Sequence, residues 1–347
     1  MKQLVKFSLL CCVAFCAACS NRHSVEKALD GYFSSLDGHF MGSVEVQKDG
    51  RTIYHTTIGY ADIENNIPAT SETLYRIGSI TKTFTAVLVL KAAAEGRLSL
   101  DDTLEKYFPD AHIPNASQIT IDQLLRHRSG LRDITNDMPE DFMTYHTEAQ
   151  TRQQMVERIA NAGTNFPPDS EYRYCNDGYI LLTYILEDVF GKPYAHLVDE
   201  QIIRPLALKQ THYTDLINPQ GGDARSYFLM DDWVLAPETN ASIAVGAGAL
   251  ISTPTDLAKF GTALFNDYFG SGILEQMEEM KDGYGRGLTT FPNGERICYG
   301  HIGAIDGYWG LLASFDDIVI TICTNGIDRS IDVTGQIIDL VNGLDIE

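Results

Sequence analysis

Arg76-Ile77-Gly78-Ser79-Ile80-Thr81-Lys82-Thr83-Phe84-Thr85-Ala86 is the stretch from which the rest of the chain is read. A glycine that frees the backbone precedes a serine with a lysine three residues on. These open a mostly apolar run from Phe84 to Ala94 that stops at Glu95-Gly96. The run is rich in helix formers and predicts a buried helix with Ser79 and Lys82 at its start. A spacing of i and i+3 puts both side chains on one face, one turn apart. A serine hydroxyl is a poor nucleophile without an adjacent base, and a lysine in a low-dielectric site loses its proton more readily and can be that base. The helix N-terminus adds free N–H groups and partial positive charge, which suit an oxyanion. A Ser-x-x-Lys pair by itself arises often by chance, so its meaning depends on what accompanies it.

With 347 residues, the chain has ample material for one large domain or two intertwined lobes. Its net charge of −21 argues against nucleic acid as a partner, since that requires clustered Lys and Arg. At the N-terminus, Lys2 and Lys6 form a short basic region. Phe7 to Phe15 is an apolar stretch too short to span a bilayer, and Cys16-Ala17-Ala18 is a small-residue cleavage zone directly before Cys19. This arrangement resembles a bacterial lipoprotein signal, with residues 1–18 removed and Cys19 lipidated, although Cys16 stands where such signals often carry leucine. An ordinary cleaved signal is the alternative. Either implies export, to the cell envelope or periplasm. Cys19, Cys175, Cys298 and Cys323 remain after cleavage; they are isolated and show no paired framework, so no disulfide is expected.

Moving outward, Ser24 to Leu36 reads as a short amphipathic helix. Gly42 to Gln47 alternates as a strand, Lys48-Asp49-Gly50-Arg51 signals a hairpin turn, and Thr52 to Ile58 returns. From Gly96 to about Gly294 the chain reads as helices and long loops. Thr120-x-x-Gln123 is a capping-box pattern for a helix that stops at Ser129-Gly130. Gln150 to Ala162 and Tyr179 to Phe190 are helical, the second ending at Gly191, and Thr253-Pro254 opens another. Tyr213 to Thr239 has no period and reads as loop. Alternation resumes at Arg296 to Tyr299, Tyr308 to Phe315 and Ile318 to Thr324, and Asp332 caps a last helix to Asn342. Strands at both ends with helices between them predict an α+β fold: one antiparallel sheet assembled from the two termini, flanked by the terminal helices, with an inserted, mostly helical lobe. Residues 24–347 then form a single two-lobed domain, with a sheet lobe at about 24–75 and 295–347 and a helical lobe at about 76–294.

Two further constellations carry chemistry. Tyr174-Cys175-Asn176 lies in a loop just before the Tyr179 helix. A tyrosine between a lysine and a serine can carry a proton from nucleophile to leaving group, and an asparagine two residues on offers a donor and an acceptor to hold the lysine and a substrate amide. Gly300-His301-Ile302-Gly303-Ala304 ends the Arg296 strand. Its glycines let backbone approach a ligand, and the imidazole can donate to the tyrosine or to a substrate carboxylate. Taken singly, each is more ordinary as a self-satisfying loop or a solvent-facing strand end.

In this order and at these separations, the three elements resemble the penicillin-recognising serine hydrolases: class C β-lactamases, D-alanyl-D-alanine carboxypeptidases, and related esterases and D-aminopeptidases. The resemblance includes the Gly42 to Tyr60 hairpin, Leu124 to Leu131, and Gly246 to Thr253, and covers essentially everything after Ser24. It implies a β-lactamase/transpeptidase-like fold in which Ser79 attacks and is acylated. Lys82 accepts the serine proton or prepares it electrostatically, Tyr174 acts as general base and acid, and Asn176 orients substrate and lysine. The N–H groups of Ser79 and Ala304, next to Gly303, match the oxyanion hole, and no metal or organic cofactor is needed.

Departures from the family pattern bear on substrate. His301 occupies a position where many relatives have lysine, and Ile302 stands where relatives that grip a carboxylate have Thr or Ser. Cys175 sits where a small residue is common and reads as a packing cysteine, and Arg128 is more basic than usual at its position. The expectation is an exported serine acyl hydrolase, D-alanyl peptidase-like or esterase/amidase-like, with weak or no β-lactamase activity. It acts on a small-molecule or peptide acyl substrate and reaches the membrane through a lipid on Cys19. A true class C-like β-lactamase and a non-turnover penicillin- or peptide-binding envelope protein stand as alternatives.

Overall fold

The structure is a computed structural model and describes residues 24–137, 142–270 and 272–344. The proposed leader and Cys19 lie outside the described residues. Helix α1 (24–34) turns Val25, Leu29 and Phe33 inward at helical spacing. Strands β1 (Phe40–Lys48) and β2 (Arg51–Ile58) follow. They join at Asp49 and Gly50, whose φ angles of 49° and 69° make the doubly left-handed turn that suits strand twist. Next come α2 (Thr81–Ala94), α3 (Ile121–Leu125), α4 (Arg152–Ala162) and α5 (Asn176–Phe190). A small hairpin, β3 (Tyr227–Leu229) and β4 (Trp233–Leu235), precedes α6 (Ala241–Gly248) and α7 (Pro254–Phe265). Strands β5 (Thr289–Phe291), β6 (Cys298–Ile305), β7 (Tyr308–Phe315) and β8 (Ile318–Ile327) lead to α8 (Val333–Gly343).

The two chain ends meet in one antiparallel sheet of order β5-β6-β7-β8-β1-β2, with Val44 opposite Ile322 and Val46 opposite Ile320. The face carrying Val44, Leu311, Ile320 and Ile322 packs on α1 and α8. The opposite face, with Leu312, Val319 and Cys323, belongs to the core around α2, α5 and α7. Every residue of α2 from Thr81 to Leu90 is buried, as expected of a helix apolar on all sides. Phe84 stacks on Phe260 of α7 with ring centroids 3.7 Å apart. The α+β architecture expected from the sequence is the one observed.

Several local readings are corrected. Thr120 and Gln123 do form a reciprocal capping box, but α3 ends at Leu125, four residues before Ser129, and His127 takes a left-handed φ of 56° that breaks the helix. Helix α5 begins at Asn176 rather than Tyr179, so Asn176 is helical and not in a loop. Cys175 provides no side-chain cap; the Asn176 N–H is instead received by Asp133 Oδ2 at 2.7 Å, from a segment distant in sequence. The region read as loop contains the β3–β4 hairpin, whose three-residue strands are too short to show a period. His301 lies inside β6, not at a strand end, because Gly300 and Gly303 continue the ladder to β7. Cys175, Cys298 and Cys323 are buried free thiols. Among the described residues no helix is long and apolar enough to cross a membrane.

Candidate active site

Ser79 sits in the 3-10 turn Gly78–Ile80 that feeds directly into α2, and Lys82 is the second residue of that helix. Lys82 Nζ lies 3.0 Å from Ser79 Oγ, 2.6 Å from Asn176 Oδ1 and 2.8 Å from the Ala247 carbonyl. Burial lowers the lysine pKa to about 7, with Asp133 and Cys175 acting in the opposite sense. The Ala247 carbonyl reaches the amine because α6 is kinked at Val245, which has φ 30° and ψ −125°. A β-branched residue held there is strained. The kink also turns the Gly246 carbonyl to Thr85 Oγ1 at 2.6 Å. Gly246 itself has no room for a side chain, since a methyl would lie 2.3 Å from Thr183 Oγ1.

Tyr174 closes the other side. Its ring lies 4.2 Å from the His127 ring and its centroid 5.0 Å from Lys82 Nζ. The phenol is buried, and its hydroxyl has no hydrogen-bond partner among the described residues. Burial pushes its pKa well above the ordinary tyrosine value, with the nearby Ser79 hydroxyl acting the other way. His127, beneath it, is buried and held neutral, its Nδ1 lying against the backbone of Cys175.

His301 is also buried, but it bonds neither to Tyr174 nor outward. Its Nδ1 is 2.6 Å from the Ile302 carbonyl, so the proton is on that nitrogen, and Nε2 accepts from the Tyr284 hydroxyl at 2.9 Å. Burial, then the neighbouring Lys82, hold its pKa down at about 3. Ile302, next along β6, has no polar side-chain atom. The expected donation from His301 to Tyr174 is therefore corrected: Tyr284, which no spacing in the sequence marks, takes the ring instead.

Two glycines let the serine turn and β6 touch. Gly78 has φ 50°, and a methyl on it would come 2.7 Å from Ala304 N; one on Gly303 would come 1.9 Å from the Ile77 carbonyl. Between the walls lies a cleft of about 740 Å³, lined by Ser79, Tyr174, Asn176, His301, Ile302 and Ala304 among others. The arrangement pairs a buried amine with a hydroxyl, places a protonated phenol beside them, and brings Ser79 and Ala304, from two elements, to the lining of one cleft. That is the equipment of nucleophilic acyl transfer. Among the described residues no cluster of His, Cys, Asp and Glu is placed to hold a metal.

The sequence-derived residues Ser79, Lys82, Tyr174, Asn176, His301, Gly303 and Ala304 all meet at this cleft or directly behind it. Those missed are Ala247, whose contribution is a carbonyl aimed by a kink, and Tyr284, Asp133 and Thr135, none of which sits in a recognisable spacing. Arg128 is a strut: it donates to Asp169 Oδ1 and the Asp169 carbonyl at 2.5 Å each and pairs with Asp282.

The beta-lactamase family model matches residues 33–330. Penicillin-binding protein 4* of Bacillus subtilis (strain 168) is 27% identical over 323 residues, 85% of this chain and 70% of that protein. The D-alanyl-D-alanine-carboxypeptidase/endopeptidase AmpH of Escherichia coli (strain K12) is 30% identical over 275 residues, 75% of this chain and 69% of that protein. Among solved structures, D-amino acid amidase from Ochrobactrum anthropi SV3, complexed with D-phenylalanine, superposes with a TM-score of 0.80 at 27% identity, covering 93% of this chain and 98% of that one.

Proposed function

The chain belongs to the beta-lactamase family of serine hydrolases, and on that premise we propose that it cleaves amides or esters of D-amino acids, or peptides at an internal D-residue, through an acyl-Ser79 intermediate. The observation that carries this reading is the 3.0 Å contact between Ser79 Oγ and an amine whose pKa is about 7. Ser79 attacks the acyl carbon while its proton passes to Lys82. The N–H groups of Ser79 and Ala304 receive the oxyanion. Tyr174, protonated at the outset, gives its proton to the leaving nitrogen or oxygen and regains one from Lys82. Water then attacks the acyl-serine and the transfers run in reverse.

Substrate preference follows from the strand wall. With both His301 nitrogens engaged and no hydroxyl at Ile302, little on β6 grips a free carboxylate, which disfavours β-lactams and C-terminal D-alanine. The similarity to a D-amino acid amidase over 93% of this chain supports an amide substrate of this class. Residues 1–18 act as an export signal and Cys19 as the lipid-bearing residue of an envelope protein whose residues 24–347 form one two-lobed domain. Metabolic lipid labelling that persists in Cys19→Ala would remove the anchor.

Specificity is tested by kcat/KM for a D-amino acid amide, a p-nitrophenyl ester, a cephalosporin, and a D-Ala-D-Ala peptide with free or amidated C-terminus. The expected order puts the amide, ester and amidated peptide about tenfold or more above the free-carboxylate substrates. A cephalosporin or the free-acid peptide as best substrate would overturn it.

A further inference from the structure

A carboxamide can present either an acceptor or a donor, and the end of Asn176 that faces Lys82 decides where the amine's lone pair points. The hydrogen bonds behind Asn176 settle that choice. Asn176 Nδ2 is 2.7 Å from Thr135 Oγ1, which is 2.7 Å from Asp133 Oδ1. Asp133 also receives the N–H groups of Thr135 and Asn136 on Oδ1, and Asn136 Nδ2 and the Asn176 N–H on Oδ2. Five donors converge on its two oxygens, which leaves Asp133 an ionised group that only accepts.

The polarity of the chain is then forced. Thr135 has one proton and gives it to Asp133, so its oxygen accepts from Asn176 Nδ2. The amide must turn Oδ1 toward Lys82, at 2.6 Å. A neutral amine has two N–H bonds; one goes to Asn176 Oδ1 and the other to the Ala247 carbonyl at 2.8 Å. What remains is the lone pair, and Ser79 Oγ–H lies there at 3.0 Å.

We propose that Asp133 and Thr135 are positioning residues that fix the hydrogen-bond polarity of Asn176 and thereby aim the lone pair of Lys82 at the Ser79 hydroxyl. The inference rests on the acyl-Ser79 reaction proposed above. In that step the Ser79 O–H bond breaks as its proton joins Lys82 Nζ, and the oxygen's electron pair forms the bond to the acyl carbon. An amide facing Lys82 the other way would donate into the lone pair and take it from the serine.

Other groups face Lys82 without supplying this constraint. The rings of Tyr174 and Tyr179 lie 5.0 and 5.6 Å from Nζ. Both phenols are held protonated by burial, as is the Cys175 thiol. His127 and His301 are neutral, and the Asp177 carboxyl is pushed up well above its ordinary value by burial. Asp133 is the charged group among them and favours the ammonium form of Lys82.

The test is pre-steady-state acylation by a p-nitrophenyl ester across pH in Thr135→Val, Thr135→Ser and Asp133→Asn, with Ser79→Ala alongside. Thr135→Val is isosteric and leaves every charge in place. It is expected to slow acylation by about 10²-fold, with KM and the acid limb of the pH profile unmoved. Thr135→Ser restores the hydroxyl and is expected to return most of the rate. Asp133→Asn is expected to slow acylation and to shift the acid limb to lower pH, because the charge that favours the ammonium is gone. Should Asp133→Asn unfold through loss of its cap on α5, the two Thr135 variants decide alone. Acylation of Thr135→Val within about threefold of the unaltered protein, or no recovery in Thr135→Ser, overturns the inference while an inactive Ser79→Ala keeps the reaction at Ser79 standing. An active Ser79→Ala overturns both.

Discussion

On the helical wall of the cleft, Lys82 meets Ser79, Asn176 and Ala247, and the groups behind them are tied down in turn: Asn176 by Thr135 and Asp133, Ala247 by the strained kink at Val245. On the strand wall, His301 is turned onto Tyr284 and its own neighbour's carbonyl, and Ile302 offers no donor. One wall spends its polar groups on bringing a proton acceptor to a nucleophile. The other leaves neither the His301 ring nor the Ile302 side chain free to bind the substrate. If the proposed reaction holds, bond-breaking and substrate-reading are separable, and variants on the two walls should behave differently.

The largest effect belongs to the helical wall: Ser79→Ala is expected to lose on the order of a million-fold in kcat, measured with an amide or ester substrate. Next comes the seam between the walls. Gly303→Ala drives a methyl into the Ile77 carbonyl and moves Ala304 away from Ser79, so a fall of roughly 10²- to 10³-fold in kcat is expected with the fold retained by circular dichroism. The pH profile distinguishes the walls without mutation. In the proposed reaction Lys82 acts in its neutral form, and burial places its pKa at about 7. Below that pH the rate of acylation should drop by about tenfold per unit as the ammonium accumulates, whereas His301, at about 3, contributes no limb between pH 5 and 9. A flat profile through pH 6 would break the contrast.

A smaller change is expected on the strand wall itself. Ile302→Thr supplies a hydroxyl and should lower KM about tenfold for carboxylate-bearing substrates, with neutral esters unaffected. Equal effects on both classes would mean that β6 reads something other than charge. The smallest prediction lies away from both walls. Thr120→Ala removes one half of the α3 capping box and should cost about 1 kcal/mol in stability with kcat unchanged.

Much of this architecture is legible in the sequence because the signals are local. The Asp49-Gly50 turn, the Thr120 and Thr253 caps and the apolar run after Ser79 each state their structure within a few residues. Ser79 and Lys82 could be paired because helical spacing couples them without knowledge of the fold. What escaped the sequence depends on distant partners. The N-terminus of α5 is set by Asp133, 43 residues from Asn176, so the helix looked as if it began later than it does. His301 reads as a donor to Tyr174 or substrate because nothing near it in sequence announces Tyr284, 17 residues earlier, as its partner. The Val245 kink has no pattern at all: nothing in the Ala- and Gly-rich segment around it announces the φ of 30° that aims the Gly246 and Ala247 carbonyls.

Covalent catalysis at Ser79 is open to a direct test by intact mass spectrometry. The protein and Ser79→Ala are mixed with a slowly released ester or with a D-amino acid amide, quenched over time and weighed. An increase equal to the acyl group is expected to appear in the unaltered protein, map to Ser79, decay as product is released and be absent from Ser79→Ala. Hydrolysis that continues in Ser79→Ala, or an acyl group mapped to any other residue, would contradict it.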